Sequence, residues 1–170
     1  MFEYAATVVL GTIYAQLLEF LLHKYVLHGK RLGKKKNNFF SFHWKEHHKK
    51  SRKNGFYDED YEGPRTWNAA GKEVASLAFL TLLHTPVLLF SPLLFSSLVS
   101  SAATYYTIHR YSHLNPEWSK KWLPWHYDHH QGVDQDKNWG VTTPLFDHVF
   151  GTRVRYEYED TGKVRKVRKS

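Results

Sequence analysis

Two long stretches of this chain are nearly free of charge, and they limit what it can fold into. Residues 1–22 contain no lysine or arginine and only two acids, Glu3 and Glu19. Residues 74–109, 36 in all, contain no aspartate, glutamate, lysine or arginine. A helix that crosses a bilayer needs roughly 20 mostly apolar residues. The first stretch is long enough for one such helix, and the second for two short helices folded back at Ser91-Pro92. Pro86 and Pro92 suit that break, because proline removes a backbone donor and disfavours helix at the residue before it.

The charge that those stretches lack is collected elsewhere. All 24 basic residues fall in two blocks, thirteen within 24–73 and eleven within 110–170. With one crossing inward and a hairpin that leaves and returns, both blocks lie on one side, as the positive-inside rule requires. The expected architecture is therefore all-α: an integral membrane helical bundle of one N-terminal spanning helix plus a helical hairpin, with a cytoplasmic, histidine-rich helical cap. A soluble helical protein with buried hairpins is the alternative. A cleavable signal peptide fits less well, since no basic segment opens the chain and no small-residue cleavage site precedes His23. Trp118, Trp122 and Trp125 lie close together outside the apolar stretches, as in an interfacial belt.

The chain has one domain's worth of residues. We expect a single membrane-embedded domain over 1–153 and a basic, flexible tail over 154–170, with Asn54 to Pro64 a loop. A net charge of +8 would by itself permit nucleic-acid binding. Instead, Lys34-Lys35-Lys36, Lys49-Lys50 and the run from Lys163 to Lys169 are placed to face anionic headgroups, each charge contributing about 1 kcal/mol there. The expected partner is a membrane, not nucleic acid. The absence of cysteine excludes disulfides, thiolate metal sites and cysteine nucleophiles.

Ten of the twelve histidines fall into four groups: His23 and His28; His43, His47 and His48; His109 and His113; His126, His129 and His130. Residues three and four apart share a helix face, so 43/47, 109/113 and 126/129/130 can each aim imidazoles at one point. His23 and His28 are five apart, about 140° around an ideal helix. They either serve two metals or require a distorted helix end. His23/His28 and His109/His113 sit where the apolar stretches end on one predicted side, and the other two groups lie on that side too. All ten are candidate metal ligands, and ten exceed what one ion takes, so two ions are expected. Imidazole alone does not select among zinc, iron, copper and nickel. Glu19 and Asp128 are candidates to orient imidazole N–H groups. His84, alone in an apolar helix, and His148, beside Asp147, read as non-ligands.

These groups, in this order, resemble the histidine boxes of the fatty acid hydroxylase superfamily, the integral membrane hydroxylases and sterol desaturase-like proteins. His126 to Thr152 is similar to its C-terminal signature, through Asn138-Trp139-Gly140-Val141 and Pro144-Leu145-Phe146-Asp147. The similarity runs from His23 to about Arg153. It implies a non-haem di-iron centre on the cytoplasmic side, with all ten histidines as ligands and Asn138 joining Glu19 and Asp128 as supporting groups. It also implies O₂-dependent oxidation, hydroxylation before desaturation, of a C–H bond in a lipid such as a fatty acyl chain. Zinc is expected to occupy the site in some purified samples. Longer eukaryotic members carry a fused cytochrome b5 domain that this chain lacks, which implies a separate electron donor such as a cytochrome b5 or a ferredoxin. The membrane would be the inner membrane of a bacterium or the endoplasmic reticulum of a eukaryote.

The chemistry fits that placement. An aliphatic C–H has no acidic proton and no leaving group, so its oxidation takes a redox metal, O₂ and two electrons, with the protein positioning the substrate. A lipid enters between apolar helices with its head at the basic face; Phe39, Phe40, Phe42 and Trp44 read first as interfacial anchors and otherwise as the lining of that entrance. Carotenoid hydroxylation and sterol or lipid desaturation use similar boxes. A di-zinc lipid hydrolase with metal-bound water as nucleophile is the main competing class, though it would usually want a carboxylate ligand that no box supplies. A metal carrier should hold its ionisable groups within its spans, where only His84 lies.

Overall fold

α1 runs over Phe2–Leu22 in a computed structural model that describes residues 2–35, 37–63, 66–159 and 164–167. It continues without a break into a π-helical turn, His23–Leu27. Together they form a 26-residue rod, Phe2–Leu27, that is long and apolar enough to cross a membrane. A second π turn, His43–His47, leads into α2, His48–Lys53. After a short 3₁₀ turn at Glu59–Tyr61 come α3, Ala69–Leu83, and α4, Pro92–Leu114. The cap is completed by α5, Pro116–Trp122, α6, Pro124–Gln131, and α7, Leu145–Val149.

The hairpin forms where the uncharged run predicts it, with local causes at both ends. Asn68 caps α3 by accepting from Gly71 N at 3.0 Å. Ser91 caps α4 by accepting from Leu94 N at 3.2 Å, and Pro92 occupies the first helical position, where no donor is needed. The break is longer than expected at Ser91-Pro92: α3 already stops at Leu83, and a 3₁₀ turn over Thr85–Leu89, holding Pro86, fills the gap. At 15 residues α3 is about 22 Å long, short of the roughly 30 Å of a bilayer's hydrocarbon core. Among the described residues, only Phe2–Leu27 has the length and composition of a membrane span.

α1 packs along α4, and Gly11 permits the close approach, since a Cβ there would collide with Ser97 Oγ. Burial is inverted relative to a soluble bundle. Leu10, Phe79, Leu82, Leu89 and Phe90 are between 60% and 87% exposed on the apolar helices, whereas the interior of the cap is built largely from histidines. Single exposed apolar residues are ordinary, but a whole apolar end to the molecule marks a surface that meets lipid or protein.

One feature departs from the all-α expectation, a short two-stranded sheet. Tyr156–Tyr158 (β1) and Val164–Lys166 (β2) pair antiparallel, with Glu157 opposite Arg165. The reason is anchorage from within the cap: Tyr158 donates to Asp128 Oδ1 at 2.9 Å, and Tyr156 Oη accepts from Asp134 N at 3.2 Å. Lys36, Pro64, and residues 160–163 and 168–170 of the expected tail lie outside the described residues.

Candidate metal centre

The π turns decide where the histidines point. In each, the N–H bonds back five residues, His28 N to His23 O at 3.0 Å and His48 N to His43 O. That widening brings residues five apart onto one face and commonly occurs at functional sites. His23 and His28 therefore share one group, so the distorted helix end is the alternative realised and not two separate metals. By the same geometry His43 pairs with His48, and the expected pairing of His43 with His47 is not seen. His23, His28, His43, His48 and His129 offer nitrogens all within 4.8 Å of one another; so do His47, His109, His113 and His130. His126 adjoins the second group, Nε2 to Nε2 of His113 at 3.2 Å. The 126/129/130 triplet is thus divided between groups instead of aimed at one point.

Most of the imidazoles are held by Nδ1. Backbone carbonyls accept from His23 (Trp139 O, 2.6 Å), His113 (Phe56 O, 2.7 Å) and His129 (Lys137 O, 2.7 Å). Carboxylates accept from His47 (Asp58, 2.7 Å), His109 (Glu73, 2.6 Å) and, more loosely, His28 (Asp136, 3.3 Å). A carbonyl cannot donate, so the proton sits on Nδ1 and Nε2 keeps a bare lone pair. Two of those Nε2 atoms meet neighbouring imidazole nitrogens: His23 faces His43 Nε2 at 2.9 Å, and His129 faces His48 Nε2 at 3.1 Å, where Gln135 donates to His48 Nδ1. Within the cap, His47 Nε2, His109 Nε2, His126 Nδ1 and both nitrogens of His130 are buried without a hydrogen-bond partner among the described residues. Orphaned buried nitrogens are rare, and converging lone pairs repel unless a cation lies among them. The donor set fits metal ions that favour imidazole.

Electrostatics keep these rings ready to ligate. Burial first, and then neighbouring imidazoles, hold His43, His48, His113, His126, His129 and His130 well below the ordinary histidine value. Burial lowers His28 to about 4 even though Asp136 opposes the shift. Near neutral pH they are unprotonated, as metal ligands must be.

A family model described as fatty acid hydroxylase matches residues 8–152. The chain belongs to the fatty acid hydroxylase family. No curated protein and no solved structure matches it. All four histidine groups and the second apolar stretch lie inside the matched region, the first apolar stretch lies inside it from residue 8, and the β1–β2 pair lies beyond it.

Three side chains expected to orient imidazoles do something else. Glu19 accepts from the amides of Val141 and Thr142 and from Thr142 Oγ1, holding a loop. Asp128 is bound by Arg153 at 2.8 Å and by Tyr158. Asn138, at φ 60°, bonds Val154 through both ends of its amide. Each bonds loop backbone or side chains of the C-terminal segment instead of an imidazole. Their effect is indirect: the segment they brace carries the Lys137 and Trp139 carbonyls.

The partners that do touch imidazoles escaped the sequence reading. Asp58 lies in the acidic loop Asn54 to Pro64, and Glu73 is the last acid before the uncharged run. That placement was the available signal for Glu73. Phe56 holds an unfavourable φ of 84°, stacks its ring on His113 at 4.3 Å and offers its carbonyl to the same residue. Strain of this kind in a bulky residue persists only where the surroundings impose it. His84 and His148 lie outside both groups. His84 bonds Leu80 O and Tyr14.

A cavity of about 860 Å³ opens between α1, α3 and α4 and ends on His23 and His43. Phe39, Phe40 and Phe42 line it, while Trp44 instead faces His28 and His48. Leucine is the commonest residue of its walls, and the surface they present is predominantly apolar, as suits an apolar ligand.

Proposed function

We propose that this fatty acid hydroxylase hydroxylates a C–H bond of a lipid, using O₂ and two iron ions held by the ten histidines. The observation that carries the proposal is the meeting of an apolar cavity with buried imidazoles whose lone pairs converge. Bound iron would supply O₂ activation and removal of hydrogen from an unactivated carbon, which no side chain does at neutral pH.

The chain's own residues have defined tasks in this reading. Glu73 keeps the His109 proton on Nδ1 and also accepts from Tyr61 Oη at 2.5 Å, so a phenol at the cavity wall is fixed beside the ligands. The Trp139 and Lys137 carbonyls fix His23 and His129 in the same way. The apolar walls exclude water and hold the chain of the lipid against the imidazoles, converting an encounter into a positioned reaction. Electrons would come from a separate carrier, such as cytochrome b5 or a ferredoxin. A recess lined by Trp44, Lys45, Lys49 and Arg52 reaches His48 from the basic face and suits an acidic one. The proposed location is a membrane, with this face in the cytoplasm.

The test uses detergent-purified protein loaded anaerobically with ferrous iron, then given a reductant, a lipid extract and ¹⁸O₂. A lipid hydroxyl carrying the label, absent with His129→Ala, is the expected result. An unlabelled product lighter by two hydrogens would mean desaturation instead. Product formed without O₂ or reductant would overturn the proposal in favour of hydrolysis.

A further inference from the structure

Part-way along the cavity from the metal ligands, a hydrogen-bonded polar pair lines its wall. Tyr14 Oη and His84 Nε2 are 3.0 Å apart, their rings meet edge to face, and both line the cavity. Tyr14 precedes His23 by nine residues on one continuous helix, about 14 Å along the axis, and its side chain leans further toward the N-terminus. His84 follows Glu73 by eleven residues, about 16 Å along α3. The hydroxyls of Thr12, Ser76, Thr81, Ser96, Ser97 and Ser101 along the same walls turn back onto carbonyls of their own helices.

The hydrogen bonds fix what this pair can recognise. His84 Nδ1 lies 2.7 Å from Leu80 O, which can only accept, so Nδ1 carries the proton. A neutral ring then leaves Nε2 as an acceptor, and the Tyr14 hydroxyl must donate to it. The phenol proton is committed, while the phenol oxygen still has a lone pair free. Toward the cavity the pair accepts a hydrogen bond and cannot give one.

We infer that Tyr14 and His84 form a substrate subsite for the hydroxyl of a lipid alcohol, lying about 14–16 Å along the helices from His23 and Glu73 at the histidine end of the cavity. An alcohol donates to Tyr14 Oη. An ether or ester oxygen at the same position meets only lone pairs, and a bare hydrocarbon leaves the phenol oxygen unmatched. The lipid would thus lie with its hydroxyl at the Tyr14–His84 pair and its other end at the histidines. This inference rests on the cavity being the substrate site of the proposed oxidation, but binding can be read without turnover.

The experiment compares dodecanol, methyl dodecyl ether and dodecane by the shift each gives to the thermal midpoint of the detergent-purified protein. Dodecanol should bind roughly three- to tenfold more tightly than the ether, the range expected for one hydrogen bond. In His84→Leu the Tyr14 proton is released and can serve the ether, so that ratio should fall toward one. In Tyr14→Phe combined with His84→Leu no preference should remain. Equal binding of alcohol and ether by the unaltered protein, or a preference that survives the double variant, would overturn the inference.

Should the variants fail to fold, the unaltered protein still reads the subsite through regiochemistry. Across tetradecanol, hexadecanol and octadecanol, the oxidised carbon should stay at a fixed count from the hydroxyl. A fixed count from the methyl end would overturn the inference. Selective binding of the alcohol without any oxidation would count against the proposed reaction and for the subsite.

Discussion

His23 donates from Nδ1 to the carbonyl of Trp139 at 2.6 Å, across 116 residues of sequence. One bond thereby ties the end of the apolar helix α1 to the loop that follows α6. Asp147 holds that loop in place: it is fully buried and accepts from the amides of Trp139 and Gly140, both at 2.8 Å, and from Thr152 Oγ1 at 2.7 Å.

Asp147→Ala should therefore act on both the fold and the centre. It leaves two buried amides without an acceptor, and charge-assisted bonds contribute about 1.5–3 kcal/mol each. The expected loss is about 3 kcal/mol or more of stability, accompanied by weaker metal retention. Thermal unfolding and metal analysis of the same preparation check this. An unchanged midpoint would show that the loop is held by other contacts.

Glu73→Gln tests the carboxylate beside His109. Glutamine preserves shape but removes the charge that keeps the His109 proton on Nδ1. Partners of this kind typically change metal affinity by about 10–100-fold. Chelator competition should show a loss in that range with little change in folding, whereas affinity within twofold of the unaltered protein would make the contact incidental.

The division of histidines predicts stoichiometry. His129 belongs to the first group and His130 to the second. Each of His129→Ala and His130→Ala should lower bound metal from about two ions per chain to about one, and His126→Ala should weaken the second group. Elemental analysis after iron or zinc loading measures it directly. Full metal content in any of the three would remove that residue from the site.

Acid should unfold the metal-free protein. Burial lowers His43, His48, His113, His126, His129 and His130 below the unfolded value of 6.5, and His28 to about 4. As pH falls below 6.5 the unfolded chain takes up protons that the folded chain refuses, so stability is full above that value and declines below it. Each such imidazole contributes up to about 1.4 kcal/mol per pH unit until its folded value is reached. The midpoint of metal-free protein should drop steeply between about pH 6.5 and 4, and a flat profile would mean that the rings are not buried neutral.

Much of the centre was legible before the fold. Histidine is a conspicuous residue, and groups spaced by three to five at the ends of uncharged stretches point to one face. What orients the rings was less legible. Glu19, Asp128 and Asn138 are adjacent in sequence to ligands or signature residues, yet they bond backbone and Arg153 instead. The acceptors actually used are largely carbonyls, those of Phe56, Lys137 and Trp139. A carbonyl is present at every residue, so composition and spacing carry no trace of which one is chosen.

The sequence by itself determined the candidate ligand type, the number of clustered imidazoles, the apolar rod and the helical hairpin, because these follow from side-chain chemistry and hydropathy along the chain. Only the tertiary structure decided that His23 pairs with His28 and His43 with His48, because a π turn rotates its successors by an amount that no α-helical period contains. It also decided that Asp58 and Glu73 reach the histidines and that Tyr14 meets His84 across the cavity. Those contacts join residues up to 70 positions apart, and they exist only once the helices have packed.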